Sequence, residues 1–117
     1  MKKIILIILI LNFNILNAGG WVSGNELVKY MNENKKLSNG IKNVDTIDAL
    51  RFNAYVFGVI DVLEDAEYIC IPENVNGRQL FAIVIKYIDN NPDKWNKTAS
   101  YLVETPLLNT FPCKKKK

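Results

Sequence analysis

The sequence predicts an all-α protein: a small compact bundle of about four helices, stapled by one disulfide, that follows a cleaved signal peptide. Three observations carry this. Apolar residues recur at helical spacing behind recognisable capping residues. The chain opens with a basic pair and a greasy run of the kind that directs export. It contains two cysteines, Cys70 and Cys113, and no histidine.

The first element is the leader. Lys2 and Lys3 precede the unbroken apolar run Ile4 to Leu11, and the small residues Ala18, Gly19 and Gly20 follow. That order of charge, grease and small residues is a secretory signal, assigned to residues 1–18 with cleavage after Ala18; Gly19 and Gly20 stay open as alternative sites. A membrane anchor is the competing reading. It needs about 20 apolar residues, and Asn12, Asn14 and Asn17 interrupt this stretch. No stable membrane span is therefore expected, and the exported chain is expected in the periplasm.

Residues 19–113 form the expected domain. Ser23 and Glu26 make a capping box at the start of a first helix, with Leu27, Tyr30 and Met31 on its apolar face. This helix is expected to fade over 32–36, with 35–45 as an exposed connection. A second helix, capped by Asp45 or Thr46, should run to about Asp65. Ile47, Leu50, Ala54, Phe57, Ile60 and Leu63 follow the helical period, and Phe52, Tyr55, Val56, Val59 and Val62 make its other sides apolar. A helix that is greasy nearly all round is expected at the centre of a bundle. Gly58 in its middle costs about 1 kcal/mol relative to alanine, so another helix is expected to approach there. Asp61, an acid within the apolar stretch, is read as a hydrogen-bonded packing residue.

Pro72 ends this unit. Asn76 and Gln79 form a second capping box for a third helix from Gly77 to about Asn90. The run Leu80 to Ile85 is ambiguous, because a continuous apolar, partly β-branched segment also suits a buried strand. Asn91 and Pro92 read as the cap and first turn of a fourth helix carrying Trp95, Ala99, Leu102 and Val103. Pro106 is expected to kink or end it. Leu107, Leu108 and Phe111 lead to Pro112 and Cys113.

An even cysteine count behind an export signal points to a disulfide, and two cysteines allow one intramolecular pairing, Cys70 with Cys113. Closing a loop with a sequence separation of 43 is worth about 4 kcal/mol in the chain-entropy model. Without histidine, serine–histidine and cysteine–histidine catalysis are excluded within the chain, and two isolated cysteines lack the spacing of a metal site. Glu64, Asp65 and Glu67 could be imagined as a glycosidase pair, but acids at a helix end are read here as solvated. No phosphate-binding glycine loop appears, so no cofactor, no metal and no enzymatic activity are expected. The net charge of +3 becomes +1 without Lys2 and Lys3, and −3 without the basic tail Lys114 to Lys117. A mildly acidic body with no basic stripe carries no nucleic-acid footprint. A polar-looped helical scaffold suits binding.

The motifs then fall in a familiar order. Tyr55, Gly58, Val59 and Asp61 make a Tyr-x-x-Gly-Val-x-Asp pattern; Cys70-Ile71-Pro72 and Asn76-Gly77-Arg78-Gln79-Leu80 follow. Then come Val84-Ile85-Lys86-Tyr87-Ile88, Asn91-Pro92, Ala99, Leu102-Val103 and a terminal Phe111-Pro112-Cys113. Over residues 23 to 113 the chain resembles the Rap/Tai immunity proteins associated with type VI secretion. That resemblance implies an all-helical periplasmic protein, so the Leu80–Ile88 run is helix. It also implies a partner: a secreted, papain-like cysteine-peptidase amidase that cuts peptidoglycan, its active-site cleft occluded by the immunity protein, often as a homodimer. The family's late cysteine pair maps onto Cys70 and Cys113, and Tyr55, Gly58, Asp61, Gln79 and Pro112 are its structural motif positions. Where many relatives carry a second cysteine pair, this chain has Met31 and Phe52, as expected if apolar packing replaces a disulfide. Pro106 stands where relatives more often have alanine. The family's contact residues do not transfer by motif; the nominated effector-binding residues are Glu73, Asn74, Asn76 and Arg78, polar and next to the staple. A small acid-stress chaperone and a structural subunit of an envelope complex are the alternatives.

Overall fold

The structure, a computed structural model, describes residues 21–114. The expected signal peptide at 1–18 and the tail residues 115–117 lie outside the described residues. Helix α1 spans Gly24–Ser38, α2 Thr46–Asp65, α3 Gly77–Asn90 and α4 Ala99–Thr110, with a 3-10 turn at Pro92–Lys94 between α3 and α4. The all-α expectation holds, as does the helical resolution of the Leu80–Ile88 run: Leu80, Val84 and Ile88 are buried on one face of α3.

Both capping boxes form. The Ser23 hydroxyl accepts from the Glu26 N–H at 3.1 Å while the Ser23 N–H donates to the Glu26 carboxylate at 2.9 Å. The Asn76 side chain and Gln79 repeat the arrangement at 3.0 and 2.9 Å. Asp45 caps α2 by accepting from the Asp48 N–H. Each cap satisfies amides that have no intrahelical partner.

α1 runs longer than its apolar content implies. Its last turn is held by polar contacts: the Asn34 amide donates to the Ala49 carbonyl and, at 2.8 Å, to Asn53 Oδ1 on α2. Glu33 accepts from Lys36 at 2.7 Å and from the Asp45 N–H at 2.9 Å. The turn after α1 closes at Gly40, whose φ of +70 suits glycine.

The core is one cluster. Leu27 and Met31 of α1, Phe52, Val56 and Ile60 of α2, Val84 and Ile88 of α3, and Leu102, Val103 and Leu107 of α4 meet there. Met31 and Phe52 are both fully buried, consistent with packing in place of a second disulfide. α2 packs on α1 and α4. α3 packs on α4 and reaches α2 through rings: Phe81 lies edge-on to Phe57 with centroids 4.8 Å apart and tilted to Phe52 at 6.0 Å.

The fourth helix begins later than expected. Trp95 lies outside it, closing the 3-10 turn, and its indole N–H donates to the Ile88 carbonyl at 2.8 Å. Thr98 supplies the cap of α4, its hydroxyl accepting from the Tyr101 N–H. This placement lets the starts of α1 and α4 clamp one another. Gly24 N–H donates to the Lys97 carbonyl at 2.8 Å and Ala99 N–H to the Val22 carbonyl at 3.2 Å. A Cβ at Gly24 would collide with the carbonyl oxygens of Lys97 and Trp95. Nor does Pro106 end α4, which continues to Thr110. Pro106 is buried among the core-facing residues Val103 and Leu107, and the Thr110 hydroxyl donates to its carbonyl at 2.7 Å.

Candidate binding surface

The turn between α2 and α3 carries the residues the sequence nominates. It leaves α2 through Glu67, which takes a positive φ of 60, and the Tyr68 N–H then donates to the Leu63 carbonyl. The chain is next tied to the far end of the molecule. Ile69 pairs with Pro112, the Cys70 N–H donates to the Phe111 carbonyl at 2.9 Å, and Cys70 is bonded to Cys113 with Cα atoms 4.8 Å apart. Val75 N–H closes a turn onto the Pro72 carbonyl, and the Asn76–Gln79 box begins α3.

Glu73, Asn74, Asn76 and Arg78 are all exposed in or beside this turn. The structure therefore brings the four nominees together on one segment, held by the staple before it and the cap after it. Their roles differ: the Asn76 side-chain oxygen is committed to capping, whereas Glu73, Asn74 and Arg78 take no part in holding the turn.

 These three make no hydrogen bond or ion pair with the described residues.

The motif residues divide between support and surface. Gln79 completes a cap and Pro112 pairs beside the disulfide, so both hold the turn. Gly58 departs from expectation: among the described residues no close helix approach is made there, and a Cβ built on it meets nothing within 4 Å. Asp61 is exposed, so it is not the packing residue its apolar neighbours imply. α2 is also not buried all round. Phe52, Val56, Ile60 and Leu63 form its inner face, while Ile47 is 65%, Leu50 54% and Val62 66% exposed. The physical reason is geometric: α1 and α4 cover one side of α2, and α3 meets its Phe52 and Phe57 rings through Phe81, which leaves the opposite face without cover among the described residues.

Between α2 and α4 the outer face of α2 opens into a groove of about 280 Å³, lined by Tyr55, Gly58, Val59, Val62, Leu63 and Glu104. Burial raises the Tyr55 phenol above its usual value of 10.0; the Glu104 carboxylate adds to the effect and a hydrogen bond with Ser100 opposes it. Sequence reasoning missed Glu104. The available signal was an acid directly after Leu102 and Val103, within the apolar stretch of α4.

The interior offers little for chemistry. Its one buried charged side chain among the described residues is Asp48, 2% exposed. Its carboxylate takes a hydrogen bond from Arg51 at 2.8 Å and pairs with Lys29 at 3.4 Å, while Arg51 lies over the Tyr30 ring at 5.7 Å. These contacts tie α1 to the start of α2. Both cysteines are consumed by the disulfide. Among the described residues no cluster of acids and cysteines is arranged to hold a metal ion, and no helix is long and apolar enough to cross a membrane. What the surface presents is a braced polar turn, an exposed apolar helix face and an acid-containing groove, a set of features suited to contact with another macromolecule.

The sequence model of one protein family, described as Rap1a immunity proteins, matches residues 23–113, nearly all of the described chain. No curated protein and no solved structure matches significantly.

Proposed function

The chain belongs to the Rap1a immunity proteins, and from that premise we propose that it neutralises a secreted effector, specifically a peptidoglycan amidase of the papain-like cysteine-peptidase kind delivered by type VI secretion. It binds this enzyme in the periplasm and occludes its active-site cleft, protecting the producing cell and its kin. It acts by binding rather than by catalysis, and as a homodimer.

The observation that carries the reading is the family match across the whole helical domain. Two features support the finer statements. The Cys70–Cys113 disulfide belongs in an oxidising compartment, which with the basic and apolar start of the sequence favours the periplasm. The turn bearing Glu73, Asn74, Asn76 and Arg78 is exposed yet anchored at both ends, and a preorganised segment loses little entropy on entering a cleft.

The test is a titration of the chain, purified from the periplasm with its disulfide formed, against a candidate peptidoglycan amidase of the same organism. Stoichiometric loss of amidase activity is the expected result. Activity unchanged at saturating immunity protein, for every cysteine-peptidase amidase the organism exports, overturns the proposal. Replacing Glu73, Asn74, Asn76 and Arg78 together by alanine is expected to weaken the complex; unchanged affinity removes the turn from the interface.

A further inference from the structure

Gly58 presents a puzzle that the fold does not resolve. It sits in the middle of a 20-residue helix, where alanine would be favoured. No positive φ requires it. Among the described residues no neighbour requires it either, since a Cβ there meets nothing within 4 Å. What the missing side chain does is open the groove between α2 and α4.

The groove has a definite chemistry. Val59, Val62 and Leu63 give it apolar walls, and Glu104 on α4 supplies the one charge in its lining. Glu104 is only partly exposed and forms no ion pair among the described residues. The acids Asp61, Glu64 and Asp65 follow along the exposed part of α2, with no basic residue between Arg51 and Arg78 to offset them. Apolar walls with a carboxylate inside match a long side chain that has an aliphatic stem and a cationic head. The surrounding negative field selects the same sign.

We propose that the α2–α4 groove at Gly58 is a specificity pocket that receives one lysine or arginine side chain of the effector, its stem against Val59 and Val62 and its charge on Glu104. The proposal rests on the reading of the chain as an effector-binding protein and adds a second contact, separate from the turn after Cys70. Gly58 keeps the mouth open, and Glu104 supplies a charge-assisted hydrogen bond.

The experiment measures affinity for the candidate amidase by calorimetry, together with thermal unfolding, for the periplasmically purified chain and two variants. Glu104→Gln keeps the shape and removes the charge. Gly58→Leu fills the groove from a position with free space around it. Glu104→Gln is expected to weaken binding about tenfold and Gly58→Leu by more, with melting temperatures no lower than the parent's. Replacing the effector's surface lysines and arginines one at a time by methionine should then identify one whose loss is not additive with Glu104→Gln. Parental affinity in both folded variants overturns the pocket while leaving effector binding intact. A variant that shifts the chain's oligomeric state on a sizing column at unchanged effector affinity also overturns it, because the occupant is then a second copy. Failure of the parent chain to bind any exported amidase refutes the functional reading, and the pocket falls with it.

Discussion

Two helical glycines make opposite predictions from the same substitution. Gly24 is the first residue of α1, and an added Cβ there would meet the carbonyl oxygens of Lys97 and Trp95 and approach Leu102 Cδ1 to 3.1 Å. The oxygens belong to the backbone, so no side-chain rotation relieves the collision. The α1 start must back away from the 95–98 segment, weakening the 2.8 Å bond from the Gly24 N–H to the Lys97 carbonyl. Overpacking costs about 1–3 kcal/mol and the lost bond about 1 kcal/mol, against a propensity gain from alanine of up to about 1 kcal/mol. Gly24→Ala should therefore destabilise the domain by about 2 kcal/mol. Gly58→Ala meets no atom within 4 Å and should stabilise it by up to about 1 kcal/mol. For a domain of this size each kcal/mol moves the melting temperature by about 4–8 °C. Urea unfolding of the two variants against the parent measures both, and an unchanged slope would assign the difference to the folded state. A neutral or stabilising Gly24→Ala would refute the clamp between the starts of α1 and α4.

Three further perturbations test other parts of the structure. Replacing Cys70 and Cys113 by serine frees a loop with a sequence separation of 43 and should cost about 4 kcal/mol, seen as a lower urea midpoint; a loss below about 1 kcal/mol would mean that the reduced, unfolded chain retains the contact. Around Asp48 the costs should be asymmetric. Asp48→Ala leaves Arg51 and Lys29 with side chains 57% and 71% exposed, free to rehydrate, at about 1–2 kcal/mol. Arg51→Ala with Lys29→Ala strands a buried carboxylate and should cost about 3–5 kcal/mol; denaturant titration of the two variants decides the order. The Glu33 carboxylate is held below its usual 4.5, chiefly by the Lys36 ammonium and then by the Asp45 N–H. A depressed folded value means that the unfolded chain takes up the proton first as pH falls. The stabilisation is present above about 4.5 and is lost as pH drops through the lower folded value, so Glu33→Gln should flatten the acid limb of a stability profile.

Most of the helices were legible because their signals are local. Ser23 with Glu26 and Asn76 with Gln79 act within one turn, and a cap does not need to know the rest of the fold. The α3 ambiguity was different in kind: Leu80 to Ile85 is apolar without a gap, and periodicity cannot distinguish a buried strand from a helix there. Boundaries set by distant partners were not readable. The last turn of α1 depends on Asn34 meeting Ala49 and Asn53, and the late start of α4 on Ala99 reaching Val22. The turn at 73–78 could be nominated, because proline, the cysteine and the capping box mark it. The groove could not, since it needs Glu104 brought beside Gly58 from another helix.

The misreading of α2 leads back to function. Its sequence is apolar on both sides, and a central position in a bundle was the natural inference. Among the described residues α1, α3 and α4 cover the inner face of α2 but supply no neighbours for its opposite face. Ile47, Leu50 and Val62 are therefore left more than half exposed, and among the described residues nothing comes within 4 Å of a Cβ built at Gly58. Such apolar surface is a liability for an isolated domain. In a family of immunity proteins it has a physical use, because the contacts missing from the monomer are those a partner can supply. Where a local pattern and the global fold disagree, as they do along this face of α2, the disagreement is a reason to look for a role beyond folding. The pattern that looked like a core helix is half core and half exposed apolar face, and the groove at Gly58 lies on the exposed side.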